Sequence, residues 1–165
     1  GGQRQRAAIA RSLILDPEFI VADEPVSMID VSIRTTIIDL LMKLRKELGL
    51  TFLFITHDLA VAKYISDRIA IMYLGKIIEL GDKTEMFSKP LHPYTQALLS
   101  AIPVPDPERR RREVELKGEV PSAIDIPSGC RFHTRCKSPS KECLKTEPEL
   151  VKVSPNHYVA CLREK

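Results

Sequence analysis

Along the first hundred positions, apolar residues fall into helix-spaced and strand-like stretches in turn. Residues 3–15 place Ala7, Ala8, Ile9, Ala10, Leu13 and Ile14 at spacings compatible with a helix, which Asp16-Pro17 closes. Residues 18–22 are a short run dominated by Phe19, Ile20, Val21 and Ala22, and they read as a buried parallel strand. Ile33, Ile37, Leu40, Leu41, Leu44 and Leu48 recur near helical spacing over residues 31–48, and Gly49 supplies a C-terminal stop. Thr51-Phe52-Leu53-Phe54-Ile55 predicts a second buried strand, followed by a helix from Asp58 to Tyr64. Residues 68–73 and 76–80 flank Leu74-Gly75 and predict a hairpin. Strand–helix–strand alternation of this kind points to an α/β layer with a parallel sheet.

The pattern changes near residue 90. Ten of the twelve prolines and all four cysteines lie from Pro90 onward. Residues 82–101 predict two short helices broken at Lys89-Pro90 and His92-Pro93. Residues 103–129 read as a linker or arm, and residues 130–161 hold the cysteines among turn signals. Two parts follow, residues 1–89 and residues 90–165, the second irregular and rich in Pro and Cys.

Composition narrows the classes. The chain is 44% apolar and 28% charged, as soluble globular proteins are. A net charge of +3 is too small to argue for a nucleic-acid partner. No apolar run approaches the ~20 residues of a spanning helix, so membrane association has to go through a partner. The arginine run at residues 109–112 lies between Glu108 and Glu113 without aromatic neighbours, and reads as a solvated linker rather than a phosphate-binding patch. Gly1 opens the chain inside a helical motif with no Met before it, which predicts a fragment of a longer protein. A sheet cut from its neighbours is expected to leave an open edge and an uncovered apolar face.

Three motifs carry chemistry. Asp23-Glu24-Pro25 follows the first strand, and ligands of open parallel sheets gather at the carboxyl ends of strands. Asp there can coordinate Mg²⁺ while waters complete its shell, and Glu can polarise an attacking water. Taken alone, an acidic turn after a core strand is the commoner outcome. His57 follows the second strand as Asp23 follows the first; it can contact a phosphate or simply act with Thr56 or Asp58 at a helix start. Gly1-Gly2-Gln3 opens a helix, whose free N–H groups and positive dipole end suit a phosphate, although an ordinary turn explains a Gly-Gly as well.

In order, Gly-Gly-Gln-Arg-Gln-Arg, the apolar run ending in Asp23-Glu24-Pro25, Asp30 and Thr56-His57-Asp58 closely resemble the ATP-binding cassette family. The resemblance implies a truncated P-loop NTPase-type domain and magnesium-dependent ATP hydrolysis in a head-to-tail dimer, the second ATPase subunit being a like or unlike copy. It implies Asp23 as the magnesium-side acid of the Walker B strand, Glu24 as the catalytic base and His57 as the γ-phosphate sensor. Gly1, Gly2 and Gln3, the end of the signature motif, would touch the partner's nucleotide, and Asp30 of the D-loop would face the dimer seam. Ser27-Met28-Ile29-Asp30 is bulkier at its second position than the family's usual Ser-Ala-Leu-Asp, so altered packing is expected there. No Gly-x-x-x-x-Gly-Lys-Ser/Thr occurs in the 165 residues, so they are expected neither to bind ATP tightly nor to hydrolyse it unaided.

Pro90-Leu91-His92-Pro93-Tyr94-Thr95-Gln96-Ala97-Leu98-Leu99 resembles the C-terminal extension of oligopeptide, dipeptide and nickel importer ATPases, and the likeness continues through Cys130, Cys136, Cys143, Glu147-Pro148 and His157 to Cys161. It implies a subunit peripheral to the cytoplasmic face of the plasma membrane, docked on transmembrane permease subunits and serving an extracytoplasmic solute-binding protein indirectly. The cysteines lack the tight pairs that zinc prefers, while an iron–sulfur cluster can gather four thiolates from a loop-rich segment. The family resemblance implies a [4Fe–4S] cluster on Cys130, Cys136, Cys143 and Cys161; reduced or adventitiously oxidised thiols are the alternative. From a different class comes a second reading, a non-catalytic regulatory or interaction module whose cysteine unit is a structural or redox-sensing clip.

Overall fold

The computed structural model describes residues 1–27, 29–102, 114 and 116–164, with Val31 described by its backbone alone. The arginine run and most of the predicted linker therefore lie outside the described residues. The chain forms two compact units, Gly1–Ser66 and Asp67–Lys165.

The first unit is α/β. Helix α1 spans Gly2–Leu13, strand β1 Phe19–Asp23, helix α2 Val31–Leu48, strand β2 Thr51–Ile55 and helix α3 Leu59–Ile65. The strands pair in parallel, from Phe19 opposite Thr51 to Asp23 opposite Ile55. Gly49 adopts φ 66° just past α2, the left-handed cap that a residue without Cβ accepts at little cost. Ile9 of α1, Ile37 and Leu41 of α2, and Val61 and Ile65 of α3 form the core, with Phe52 and Phe54 packed against it.

The strands were expected to be buried on both faces. Instead Phe19, Val21, Leu53 and Ile55 project from the opposite face with 44–54% of their surface exposed. Among the described residues, no element covers that face. The period of two in burial along β2 shows one covered side and one open side.

The second unit is built on an antiparallel sheet. Strands β3 (Arg68–Tyr73) and β4 (Lys76–Asp82) form the predicted hairpin, turning at Leu74 (φ 44°) and Gly75 (φ 78°), the two positive φ values that a right-twisted hairpin favours. Helices α4 (Lys83–Ser88) and α5 (Pro93–Ser100) follow, separated where Pro90 and Pro93 were expected to break the pattern. A 3₁₀ turn covers Lys141–Leu144.

Sequence reading placed only turns beyond residue 130. The structure adds strands β5 (Val151–Ser154) and β6 (His157–Val159), giving the sheet order β3-β4-β6-β5. The two strands are short and meet at Pro155-Asn156, so their alternation spans too few residues to stand out. The burial of β6 comes from pairing with β4, a long-range contact that local pattern does not encode, and β5 pairs with β6 in turn.

An aromatic cluster fills this unit. Tyr73 meets Tyr94 edge-on with centroids 4.8 Å apart and Phe132 at 5.3 Å. Phe132 also meets His92 and Tyr94, each at 5.4 Å. Phe132 is 2% exposed, so the cysteine segment is anchored by a core side chain and not only by its turns.

Candidate functional site

Parallel register brings the candidate acids and histidine to one edge. Asp23 ends β1 opposite Ile55, the last residue of β2, so the chain leaves both strands at the same height. Glu24 prolongs the ladder by one bond, its N–H donating to the Ile55 carbonyl at 2.9 Å. It does so at φ 42°, a conformation that disfavours a residue with a Cβ. The Ser27 hydroxyl donates back to the Glu24 carbonyl at 3.0 Å and closes the turn.

His57 then reaches Glu24. Nδ1 of the imidazole stands 3.0 Å from Glu24 Oε1. A carboxylate only accepts, so Nδ1 carries the proton and donates it. This bond is the main reason the Glu24 carboxyl lies below its usual range; slight burial opposes it and the Ser27 hydroxyl assists. Both side chains face solvent, at 46% for Glu24 and 73% for His57. The pair sits on a surface that a ligand can reach.

Thr56 and Asp58 fix the histidine from either side. The Asp58 N–H donates to Thr56 Oγ1 at 3.0 Å, and Asp58 Oδ1 accepts from Ala60 and Val61 at 2.9 and 3.2 Å as the cap of α3. Its other oxygen accepts from Arg34 of α2 at 3.2 Å. The Arg34–Asp58 pair was not anticipated: Asp58 at a helix start signalled a cap, but nothing local to Arg34 marks a partner 24 residues away.

The remaining predicted residues lie at helix starts. Gly1 is the N-cap of α1 and its carbonyl accepts from Gln5 at 3.2 Å; no side chain caps this end. Gly1 and Gln3 are exposed and Gly2 is buried. A Cβ on Gly2 would stand 2.5 Å from Cγ2 of Ile33, so glycine here permits the close approach of α1 to α2 whatever else it does. Asp30 is the N-cap of α2, its carbonyl accepting from Ile33 and Arg34 at 3.0 and 2.9 Å; its exposed carboxylate makes no capping bond. The starts of α1 and α2 are thus neighbours through Gly2 and Ile33. Of the first unit's candidates, Glu24 and His57 are joined by a side-chain hydrogen bond, with Asp23 beside them.

In the second unit the four cysteines are free thiols. The Cys130 N–H donates to the Cys143 carbonyl at 2.8 Å, and Gly129 at φ 69° lies so close beneath that a Cβ would stand 2.4 Å from that oxygen. Burial pushes the Cys130 thiol up, with smaller upward contributions from Cys143, Cys161 and Cys136 nearby and an opposing bond from the Phe132 backbone. The thiols therefore share one neighbourhood. Among the described residues, however, no three His, Cys, Asp or Glu side chains stand together at separations that would hold a metal ion. Their chemistry suits iron or zinc, but the arrangement is not closed around either.

Sequence reasoning also missed a buried clasp. Glu79 of β4, wholly buried, accepts from Leu91 N–H at 2.7 Å, His92 N–H at 3.0 Å and His157 Nε2–H at 2.7 Å. One carboxylate ties the segment before α5 to β4 and β6. The β4 sequence gave no sign of it, because an acid in a hairpin strand normally faces water.

A family profile described as "Oligopeptide/dipeptide transporter, C-terminal region" matches residues 78–143, the stretch from β4 through the third cysteine. Similarity to curated relatives extends over nearly the whole chain. The chain belongs to the ATP-binding cassette family, in its oligopeptide/dipeptide transporter branch. It is 55% identical over 163 residues to the putative oligopeptide transport ATP-binding protein YkfD of Bacillus subtilis, covering 98% of this chain and 50% of that protein. It is 53% identical over 165 residues to the oligopeptide transport ATP-binding protein OppF of Salmonella typhimurium, covering 99% and 49%. The chain thus spans about half the length of the curated relatives it matches. Among solved structures, the ATP-binding cassette MJ1267 in its ADP conformation aligns with 55% of this chain and 37% of its own, at 31% identity and a TM-score of 0.49. No described helix is long and apolar enough to cross a membrane.

Proposed function

We propose that this chain carries the water-activating part of an ATP-hydrolysing subunit of a peptide importer. The observation that carries the reading is the 3.0 Å bond between Glu24 and His57 at the carboxyl edge of a parallel pair, directly after Asp23. Asp23 would hold Mg²⁺, Glu24 would orient the attacking water and accept its proton, and His57 would contact the γ-phosphate. While Glu24 holds the Nδ1 proton, a neutral imidazole offers only an acceptor at Nε2. A phosphate oxygen must therefore compete for that proton or meet a doubly protonated ring, so the Glu24–His57 bond belongs to a resting arrangement.

In this reading Gly1, Gly2 and Gln3 approach the nucleotide of a second ATPase subunit, like or unlike, and Asp30 faces the seam. Transmembrane permease subunits anchor the assembly at the cytoplasmic face of the membrane, and a solute-binding protein serves it from the other side. Residues 1–89 are assigned to the cassette and residues 90–165 to an extension that adds β6 and β5 to the cassette's last hairpin. Without a phosphate-cradling loop among them, these residues do not turn over ATP unaided.

In the full-length protein, Glu24→Gln and His57→Ala are each expected to lower magnesium-dependent kcat by about 10²-fold or more, with nucleotide binding retained. Turnover within a few-fold of wild type in Glu24→Gln would remove Glu24 from this role.

The gathered thiols, none of them in a disulfide, favour one addition. Cys130, Cys136, Cys143 and Cys161 would hold a [4Fe–4S] cluster, after local closure of the segment around it. When bound it would supply a rigid cross-link with redox sensitivity; no step of ATP hydrolysis passes through it. Anaerobic reconstitution should give a brown protein with iron and sulfide in equal amounts. Zinc alone, or no metal, would leave the unit as the thiol clip of the alternative, non-catalytic reading.

A further inference from the structure

The extension holds a cavity of about 220 Å³, partly open to solvent, that shares no residue with the Asp23–His57 edge. Arg135, Lys137 and Arg163 line it, and no Asp or Glu among the described residues does. Phe132 and Pro93 supply apolar wall. Nε of Arg135 is buried and has no hydrogen-bond partner among the described residues. That nitrogen is sealed from water, so Arg135 lines the cavity through its other atoms. The positive field is felt nearby: after burial, the charge of Arg163 is what holds the His92 imidazole down at a pKa of about 4.

We propose that this cavity binds a small oxyanion, a carboxylate or phosphate group carried on a short apolar body. Two guanidinium forks and an ammonium match the paired oxygens of such a group, and the Phe132 side takes the apolar part. The volume falls below the ~300 Å³ at which drug-sized pockets begin, which favours a compact metabolite or a single acidic residue. The inference does not depend on the proposed ATPase chemistry.

The full-length protein, its nucleotide sites saturated with ADP and magnesium, is titrated calorimetrically with inorganic phosphate, phenyl phosphate and benzoate. Phenyl phosphate or benzoate should bind more tightly than inorganic phosphate, in a salt-dependent manner. Lys137 and Arg163 are exposed, so Lys137→Gln and Arg163→Gln should fold normally, and each should weaken binding by about tenfold. Arg135→Lys, which keeps the charge and loses the planar fork, should weaken it comparably. Absence of binding up to about 10 mM of every probe would overturn the proposal, as would variants that bind like wild type. Because Cys136 also borders the cavity, iron content is measured in parallel. Variants that lose iron while keeping anion affinity would show that these cations serve the thiols instead, which also overturns it.

Discussion

His57 Nδ1 and Glu24 Oε1 lie 3.0 Å apart, joining the residue that follows β1 to one just beyond β2. The bond exists because two parallel strands end in register and because Glu24 adopts φ 42°, turning its side chain toward the neighbouring strand. It also holds the Glu24 carboxyl below the ordinary 4.5. A lowered carboxyl contributes stability that is present above pH 4.5 and is lost as pH falls through the depressed value. His57→Ala should therefore return Glu24 to the ordinary carboxylate range, read by carboxyl-carbon NMR titration. A Glu24 titration unchanged in His57→Ala would place the cause elsewhere.

Gly2 offers a test that separates packing from nucleotide contact. Gly2→Ala drives a methyl into Cγ2 of Ile33 and should cost about 1–3 kcal/mol of stability. Ile33→Ala removes that methyl at its own cost. If the clash is the cause, the double variant should be about 1 kcal/mol more stable than the sum of the singles predicts. Strict additivity in urea unfolding would leave the glycine to a role at the dimer seam.

The division between what could be read and what could not follows the range of the interactions. The alternation of β1, α2 and β2 was legible because apolar spacing of 3.6 or 2 is written in consecutive residues, and Gly49 and Asp16-Pro17 punctuate it. Asp23, Glu24 and His57 were legible as a set because a parallel pair exits both strands at one edge. The Glu24–His57 contact itself depends on one residue's positive φ, which no spacing rule supplies. The Glu79 clasp, the Arg34–Asp58 pair and the pairing of β6 with β4 all join residues far apart in sequence. Each side chain there looks ordinary until its partner is in place.

Glu79 should prove the most sensitive polar residue of the second unit. Glu79→Ala leaves Leu91 N–H, His92 N–H and His157 Nε2–H without their acceptor in a buried place, an expected loss of about 3–5 kcal/mol. Glu79→Gln keeps one acceptor oxygen but turns an amide donor toward a donor, so it should fall between Ala and wild type. Amide exchange at Leu91 and His92 should quicken in both variants. Wild-type protection at those amides would show that the segment is held by other contacts.

Gly129 underlies the thiol unit. At φ 69°, with the Cys143 carbonyl 2.4 Å from where a Cβ would be, Gly129→Ala must push Cys130 away from Cys143. Iron uptake on anaerobic reconstitution should then fall several-fold, and the unit should lose stability even without metal. Full uptake by the variant would mean that the Cys130–Cys143 approach is not needed for binding.

The extension should also carry an acid-sensitive element at His92. Its ring is 2% exposed and accepts the Tyr94 N–H through Nδ1 at 3.1 Å, so the neutral form caps α5. Burial, and then the charge of Arg163, lower its pKa from 6.5 to about 4. An unfolded chain binds the proton near pH 6.5 and the folded one resists until about pH 4, so folding stability is complete above pH 6.5 and declines as pH falls toward 4. At pH 4 the loss relative to pH 7 should be about 3 kcal/mol, in addition to whatever the carboxylates contribute. His92→Asn keeps an oxygen that can accept the Tyr94 N–H but has no proton to take up. It should lose some packing against Phe132 at pH 7, yet show a shallower fall in unfolding midpoint between pH 6.5 and 4.5. Parallel pH profiles for wild type and His92→Asn would assign the acid sensitivity to other groups.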